Sequence, residues 1–433
     1  MDKYLKIEDR LNIFKKWTLV SSKLTNEKTP IELDENLHIT NDISDFVERL
    51  READGSMVLL KSQKGAFGFP FETILDNSRW FTKLMIYDID YLCNPKCGFW
   101  NGENQTQIKE VLKGYHKLNP EDKLKFHERV LELKHISINT EHKVNTVMTN
   151  LVLNKTTPHI CILYGATEFY QGKHEEIIKT IIKKYRSSEK DILLHLAKVI
   201  MTEWATLGEL GDFIKANWIK WSKETWSVLI FQMVAMLALI HEKYPTFRHN
   251  DLSLSNILVQ TTRIKPLNET EYSGYYKYTI FGKTYCVPDI GFRVMLADFD
   301  YAIIKELDIM NDKVDNKFTK KYGAVSDFNQ SFDCHMMLNW LSVWVLKLHN
   351  YNDFNKPPFN IAHVKDFIYE VIDNEFRGFN NRYINYTRLR NGKRVLEKVI
   401  PRNILETNSL FDKFRNYESW VAERTFIEEY NTI

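Results

Sequence analysis

The chain carries almost no net charge. Its 59 Lys and Arg stand against 57 Asp and Glu, a formal +2 at pH 7, so no global field draws it to nucleic acid or to an anionic membrane. Cysteine is scarce and odd in number. Cys93, Cys97, Cys161, Cys286 and Cys334 are scattered, form no disulfide framework and point to a reducing compartment. Cys93 and Cys97 have no second Cys/His pair at matching spacing and read as a loop pair rather than zinc ligands. Long apolar runs are missing as well. The longest, Val228 to Ile240, is interrupted by Gln232, is too short to span a bilayer and reads as a buried helix. The first residues include Asp2, Lys3, Lys6, Glu8 and Asp9, without the apolar core of a secretory signal or the Gly at position 2 that myristoylation needs. No internal repeat is present. What remains is ordinary globular usage over 433 residues, 44% hydrophobic and 27% charged, enough for a sizeable core in a two-lobed architecture.

Along the chain the texture changes once. Leu5, Leu11, Phe14 and Trp17 suit an amphipathic helix within an N-terminal extension, residues 1–50, that packs on a larger domain. Met57–Leu60 and Trp80–Ile86 read as strands, separated by a turn at Gly65-Ala66-Phe67-Gly68. Residues 104–134 read as polar and helical, and Thr140 to Leu153 as a helix. Ile160–Tyr164 reads as a strand, Lys173 to Lys190 as a charged helix or insertion, and Val199–Trp204 as a strand ending at Gly208. From Thr225 the chain is mostly helical, apart from a hairpin-rich region around Tyr276 to Leu296. Strands first and helices later imply an α+β fold with two lobes, residues 51–205 and 206–433.

The sharpest signal is His249-Asn250-Asp251-Leu252-Ser253-Leu254-Ser255-Asn256, which leads into the apolar run Ile257-Leu258-Val259. A second apolar run ends in Leu296-Ala297-Asp298-Phe299-Asp300. Phosphoryl transfer needs positioned metal ions, neutralised phosphate charge and a group that orients the attacking hydroxyl. Asp251 can accept the hydroxyl proton. Asn256 and Asp298 offer the hard oxygen donors that Mg²⁺ prefers.

The loop resembles the H-R-D-x-x-x-x-N catalytic loop of protein kinases, and Asp298-Phe299-Asp300 resembles their D-F-G. More closely, the chain resembles the divergent serine/threonine protein kinases of large DNA viruses, the poxvirus type and its giant-virus relatives, over residues 57–415. That family carries D-F-D and a hairpin feeding the D-F-D strand, here Gly282 to Val294. Ser331-Phe332-Asp333-Cys334-His335 is similar to the start of the central helix of the large lobe, whose Asp braces the catalytic loop. The resemblance implies a bilobal kinase-like fold that uses ATP and Mg²⁺, with Mn²⁺ as a substitute, on Ser or Thr hydroxyls of proteins. It implies adenine held by backbone groups of Glu203 and Ala205, and phosphates covered by Gly65, Ala66, Phe67 and Gly68. Lys83 would bind phosphate, partnered by Glu141, with Glu132 as the fallback. It also implies a place in infected-cell cytoplasm and in the virion.

The pattern departs from the kinases at several points. Ser253 replaces the Lys that touches the transferred phosphate, Gln63 replaces the first Gly of the phosphate loop, and Asp300 adds a negative side chain beside Asp298. No A-P-E signature lies between Ile303 and Phe328. Choline kinases and aminoglycoside phosphotransferases share H-x-D-x-x-x-x-N and D-F-(D/E), so a small-molecule kinase is the competing enzyme class. A pseudokinase scaffold is a further reading, against which the joint presence of Asp251, Asn256 and Asp298 argues. The basic, aromatic stretch Arg377 to Arg394 reads as a solvated hairpin and helix face rather than a nucleic-acid site.

Overall fold

Aromatic and β-branched residues dominate Ser78–Asp88 (SRWFTKLMIYD), a composition that fits a pleated, half-buried surface. In the computed structural model, which describes residues 8–10, 12, 39–40, 56–59, 68–75, 78–88, 119, 121–122, 125, 137–170, 192–262, 274–314, 324–347, 359–377, 395–417 and 426–431, this segment is a strand with partners on both sides. Mixed helix and largely antiparallel sheet make the protein α+β. The chain divides into two units. The first takes its described residues from 12–146 and 162–204, and the second from 3–11, 147–161 and 205–433.

In the first unit the strands are β1 (Ile39–Thr40), β2 (Ser56–Leu59), β3 (Gly68–Leu75), β4 (Ser78–Asp88), β5 (Leu163–Tyr170) and β6 (Ile192–Glu203). They form one sheet in the order β1-β5-β6-β4-β3-β2. Trp80, Leu84 and Met85 of β4 and Val199, Ile200 and Met201 of β6 are buried. Helix α1 (Ser137–Leu153) begins three residues before Thr140, and its first part belongs to this unit. The strand expected at Ile160–Tyr164 starts instead at Leu163. The reason is hydrogen bonding: Cys161 N–H donates to Leu296 O (3.2 Å) and His159 O accepts from Leu296 N–H (2.8 Å), so Ile160 is left with a lone parallel bridge to Leu296.

The second unit is organised on α3 (Lys223–Lys243), which follows the short α2 (Leu210–Asn217). Ser222 caps α3 by accepting from Thr225 N–H (3.1 Å), as N-cap serines do. Residues 226–240 are all buried. By length and composition α3 alone among the described residues could cross a membrane, yet 83% of its apolar window is buried inside the protein. Each large side chain buried there contributes about 1.5–3 kcal/mol, which accounts for its apolar composition. Gln232, a polar side chain near its middle, accepts from Val294 N–H (2.9 Å) and donates to Phe292 O (3.2 Å).

Those two residues belong to β10 (Phe292–Leu296), which pairs antiparallel with β7 (Ile257–Thr261). Between them lie β8 (Tyr275–Ile280) and β9 (Lys283–Pro288), joined at Phe281 (φ 48°) and Gly282 (φ 73°). Positive φ at both central residues is what a two-residue hairpin of primed type requires. The hairpin therefore runs from Tyr275 to Pro288, earlier than the expected Gly282 to Val294. A turn in which Asp289 Oδ1 accepts from Gly291 N–H (2.9 Å) then releases β10 toward β7. Strand β11 (Phe426–Tyr430) adds to β8 in parallel. Helices α4 (Phe332–Lys347), α5 (Phe359–Val371), α6 (Pro401–Thr407) and α7 (Asp412–Arg415) complete the described unit.

Candidate active site

The β7/β10 register assembles the site in the second unit. Leu296 lies opposite Ile257, so Ala297 faces Asn256, and Ala297 N–H donates to Asn256 O (3.0 Å). Asp298 is the next residue. Leu252 and Leu254 are buried and fasten the loop from below, which leaves Asp251 half-buried and Ser255 exposed. Asn256 Nδ2 donates to Asp251 O (2.6 Å) and Asp251 Oδ2 (3.3 Å). Its amide nitrogen is thus engaged, and Oδ1 is the end left for a cation.

Asp333, at the start of α4, braces the loop. Its buried carboxylate accepts from His249 N–H (2.7 Å) and Asn250 N–H (3.0 Å). The brace holds Asn250 at φ 64°, and Asn tolerates this left-handed region better than most residues. His249 Nε2 pairs with Ala297 O (3.0 Å), and its ring lies 5.6 Å from that of Phe299. His249 is therefore a connecting residue between the two segments. Asp298 itself is exposed and sits at φ 61°. Non-glycine residues held there concentrate at functional sites.

Electrostatics single out Asp251. Burial first, then the neighbouring Asp298, with smaller pushes from Asp300 and Asp333, raises its pKa to about 7 against the lowering effect of the Asn256 hydrogen bond. A divalent cation at Asp298 would oppose part of that rise. Among the described residues no group of three or more His, Cys, Asp or Glu could hold a metal by itself. Asn256 and Asp298 form a two-oxygen set, which fits Mg²⁺, an ion that keeps waters and takes its remaining oxygens from substrate phosphates.

In the first unit Lys83 of β4 and Glu141 of α1 meet: Lys83 Nζ donates to Glu141 Oε1 (2.8 Å) and Oε2 (3.0 Å). Lys83 is little exposed and Glu141 is buried. Gly68, opposite Met85 in the β3/β4 register, lies close to Lys83: a Cβ there would come within 2.9 Å of Lys83 Cε, so the lysine side chain would have to shift. Gly65, Ala66 and Phe67 lie outside the described residues, as do Glu132, residues 378–394 of the basic stretch and the Lys173–Lys190 segment. Glu203 N–H is taken by Ile162 O (2.9 Å), and its side chain Oε2 accepts from Ile162 N–H (3.3 Å). In the second unit Ala205 O accepts from Gly208 N–H (3.3 Å).

No family model matches the chain. Three curated proteins of large DNA viruses are similar to it. One, from Acanthamoeba polyphaga mimivirus, is provisionally named a serine/threonine-protein kinase and is 28% identical over 291 residues, 64% of this chain and 59% of that protein. A second mimivirus protein with the same kind of name is 31% identical over 110 residues, covering 25% and 26% of the two chains. A third, of Invertebrate iridescent virus 6, is 27% identical over 166 residues, covering 38% and 28%. The chain is thus similar to kinase-like proteins of large DNA viruses. It spans somewhat more than half of the length of the first relative.

In this kinase-like chain the second Asp of the D-F-D motif, Asp300, has a partner that the sequence does not announce. It is buried and ion-paired with Lys313 Nζ, itself buried, and Asn311 Nδ2 donates to Asp300 O (2.9 Å). Sequence reasoning missed Lys313, because nothing in spacing alone marks a Lys 13 positions downstream as a partner. It also missed Lys198, buried on β6 and donating to Asn139 Oδ1 (2.7 Å), and Arg10. A lysine inside an otherwise apolar strand such as Ile192–Glu203 was the available signal for Lys198.

Proposed function

We propose that this protein is an ATP-dependent serine/threonine protein kinase, with residues 51–205 and 206–433 as the small and large lobes of a kinase-like fold. The observation that carries the reading is the Asp251–Asn256–Asp298 constellation, set in register by β7/β10 and braced by Asp333. Asp251 orients the acceptor hydroxyl and takes its proton as the hydroxyl oxygen bonds to the γ-phosphorus and the bond to the β-phosphate oxygen breaks, leaving ADP. Burial and neighbouring carboxylates hold Asp251 near neutrality, where a general base is effective. Asn256 Oδ1 and the Asp298 carboxylate would hold Mg²⁺ or Mn²⁺, which when bound neutralises phosphate charge. Lys83, fixed by Glu141, takes the α- and β-phosphates. Backbone groups of Glu203 and Ala205 take adenine, and residues 65–68 cover the phosphates. Since Glu203 N–H already serves Ile162 O, the hydrogen-bond donor to adenine falls to Ala205. We place its action in infected-cell cytoplasm and in the virion, on protein substrates.

The test is transfer of label from γ-labelled ATP to generic acceptor proteins with Mg²⁺ or Mn²⁺, with choline and aminoglycosides as parallel acceptors and Asp251→Asn as control. Label on protein Ser or Thr that disappears in the variant supports the reading. Label on a small molecule replaces it with the small-molecule class, and nucleotide binding without transfer replaces it with a scaffold.

A further inference from the structure

Strand β10 ends two residues before Asp298, and only one of its edges is covered by β7. The groups on the other edge lead to the N-terminus. Gln232 serves Phe292 O and Val294 N–H. His159 Nδ1 serves Val294 O (2.8 Å). His159 O and Cys161 N–H serve Leu296. Residues 159–161, after a bend at Pro158, therefore lie along β10, and extended backbone points alternate carbonyls to opposite sides. The carbonyls that point away from β10 belong to Pro158 and Ile160. Both accept from one side chain, Arg10, through Nη1 (2.7 Å) and Nη2. Arg10 is fully buried and lies against Met295 Sδ (3.6 Å). Alongside it, Glu8 lies 3.8 Å from Lys155.

A guanidinium matches two carbonyls on one edge with fixed geometry, which an ammonium does not. We propose that Arg10 is a positioning residue for Asp298. Through Pro158 and Ile160 it presses segment 158–161 onto the lower half of β10, and so holds Leu296 and the left-handed backbone of Asp298 in place. The inference rests on Asp298 as a ligand of the metal–nucleotide. It gives the N-terminal extension a task in the site rather than at the surface.

The experiment compares the full chain with Arg10→Met and Arg10→Lys. Mn²⁺ binding is titrated with and without a non-hydrolysable ATP analogue, and amide hydrogen exchange is followed in peptides covering 294–300 and 226–240. Loss of hydrogen bonds to a charged donor predicts about a tenfold or greater weakening of Mn²⁺–nucleotide binding in Arg10→Met. Exchange should speed up in 294–300 relative to 226–240, with Arg10→Lys intermediate. If Arg10→Met fails to fold, Arg10→Lys alone carries both readouts. A variant that melts earlier but keeps wild-type Mn²⁺ affinity and wild-type exchange in 294–300 overturns the proposal and leaves Arg10 as a stability residue. Wild-type protein that binds no Mn²⁺–nucleotide overturns the kinase reading instead. The exchange arm then still decides whether Arg10 holds the Asp298 segment.

Discussion

Replacing Asp300 by glycine would restore the D-F-G spelling common among kinases, and it should damage this protein. The structure supplies the reason. Asp300 and Lys313 are a buried ion pair, with side chains 12% and 3% exposed, and Asn311 Nδ2 holds the Asp300 carbonyl as well. Asp300→Gly removes the carboxylate and leaves the Lys313 ammonium in the interior. Breaking a buried pair by removing one partner costs about 3–5 kcal/mol, and glycine adds about 0.5–1 kcal/mol of backbone entropy. The variant should therefore lose about 4–6 kcal/mol, a large part of the stability of an ordinary domain. Urea denaturation followed by tryptophan fluorescence measures it. The second arm is Asp300→Gly with Lys313→Met, which also removes the buried ammonium and should recover about 3 kcal/mol or more, because an apolar replacement of a buried pair is often near neutral. A single variant within 1 kcal/mol of wild type, or a double variant no better than the single, would refute the argument that the pair neutralises the motif.

Four further outcomes can be measured. Asp251→Asn should keep the wild-type melting temperature and lower phosphate transfer by about 10²–10⁴-fold, the usual cost of losing a general base; equal activity would remove Asp251 from that role. Asp333→Asn puts an N–H₂ against one of two backbone donors and should cost about 2–4 kcal/mol, read by denaturation and by lost protection at the amides of His249 and Asn250. Lys83→Met removes the ion-pair partner of the buried Glu141 carboxylate and should cost about 3–5 kcal/mol, while Lys83→Met with Glu141→Gln should cost less; denaturation of both variants separates the two. His159 and His335 stay neutral in the fold because burial lowers their pKa to about 3 and about 4. The unfolded chain takes up protons on both below about pH 6.5, so stability should fall as pH drops from 6.5 toward 4, by up to about 1.4 kcal/mol per pH unit for each ring. A flat stability over that interval would contradict their burial.

What the sequence displayed well were features with local spelling. The Asp251-to-Asn256 loop, the β7 and β10 strands and the apolar helix around Thr225–His241 carry their signal in adjacent residues or in one period. The Lys83–Glu141 contact was reachable only through the resemblance to kinases, which pairs such a Lys with a Glu on the following helix, since 58 positions separate the two residues. Three kinds of information were not legible. The strand at Ile160 dissolved because its backbone groups are claimed by Leu296, 136 positions away, and periodicity carries no trace of a distant competitor. The hairpin was placed late because a bulky Phe281 takes a positive φ beside Gly282, and turn rules give the glycine the greater weight. The partner of Asp300 stayed hidden because Lys313 has no motif that announces it.

The anchoring of Arg10 also sets a schedule. Arg10 meets Met295 across 285 positions of chain. At ordinary synthesis rates of about 5–20 residues per second, roughly 15 to 60 s separate the emergence of the two. Over that interval the guanidinium has no Met295 to lie against, and the 158–161 segment has no β10 to lie on. The Asp298 strand thus closes around the N-terminus only late in synthesis, and a chain halted before β10 lacks the half of this brace that β10 supplies.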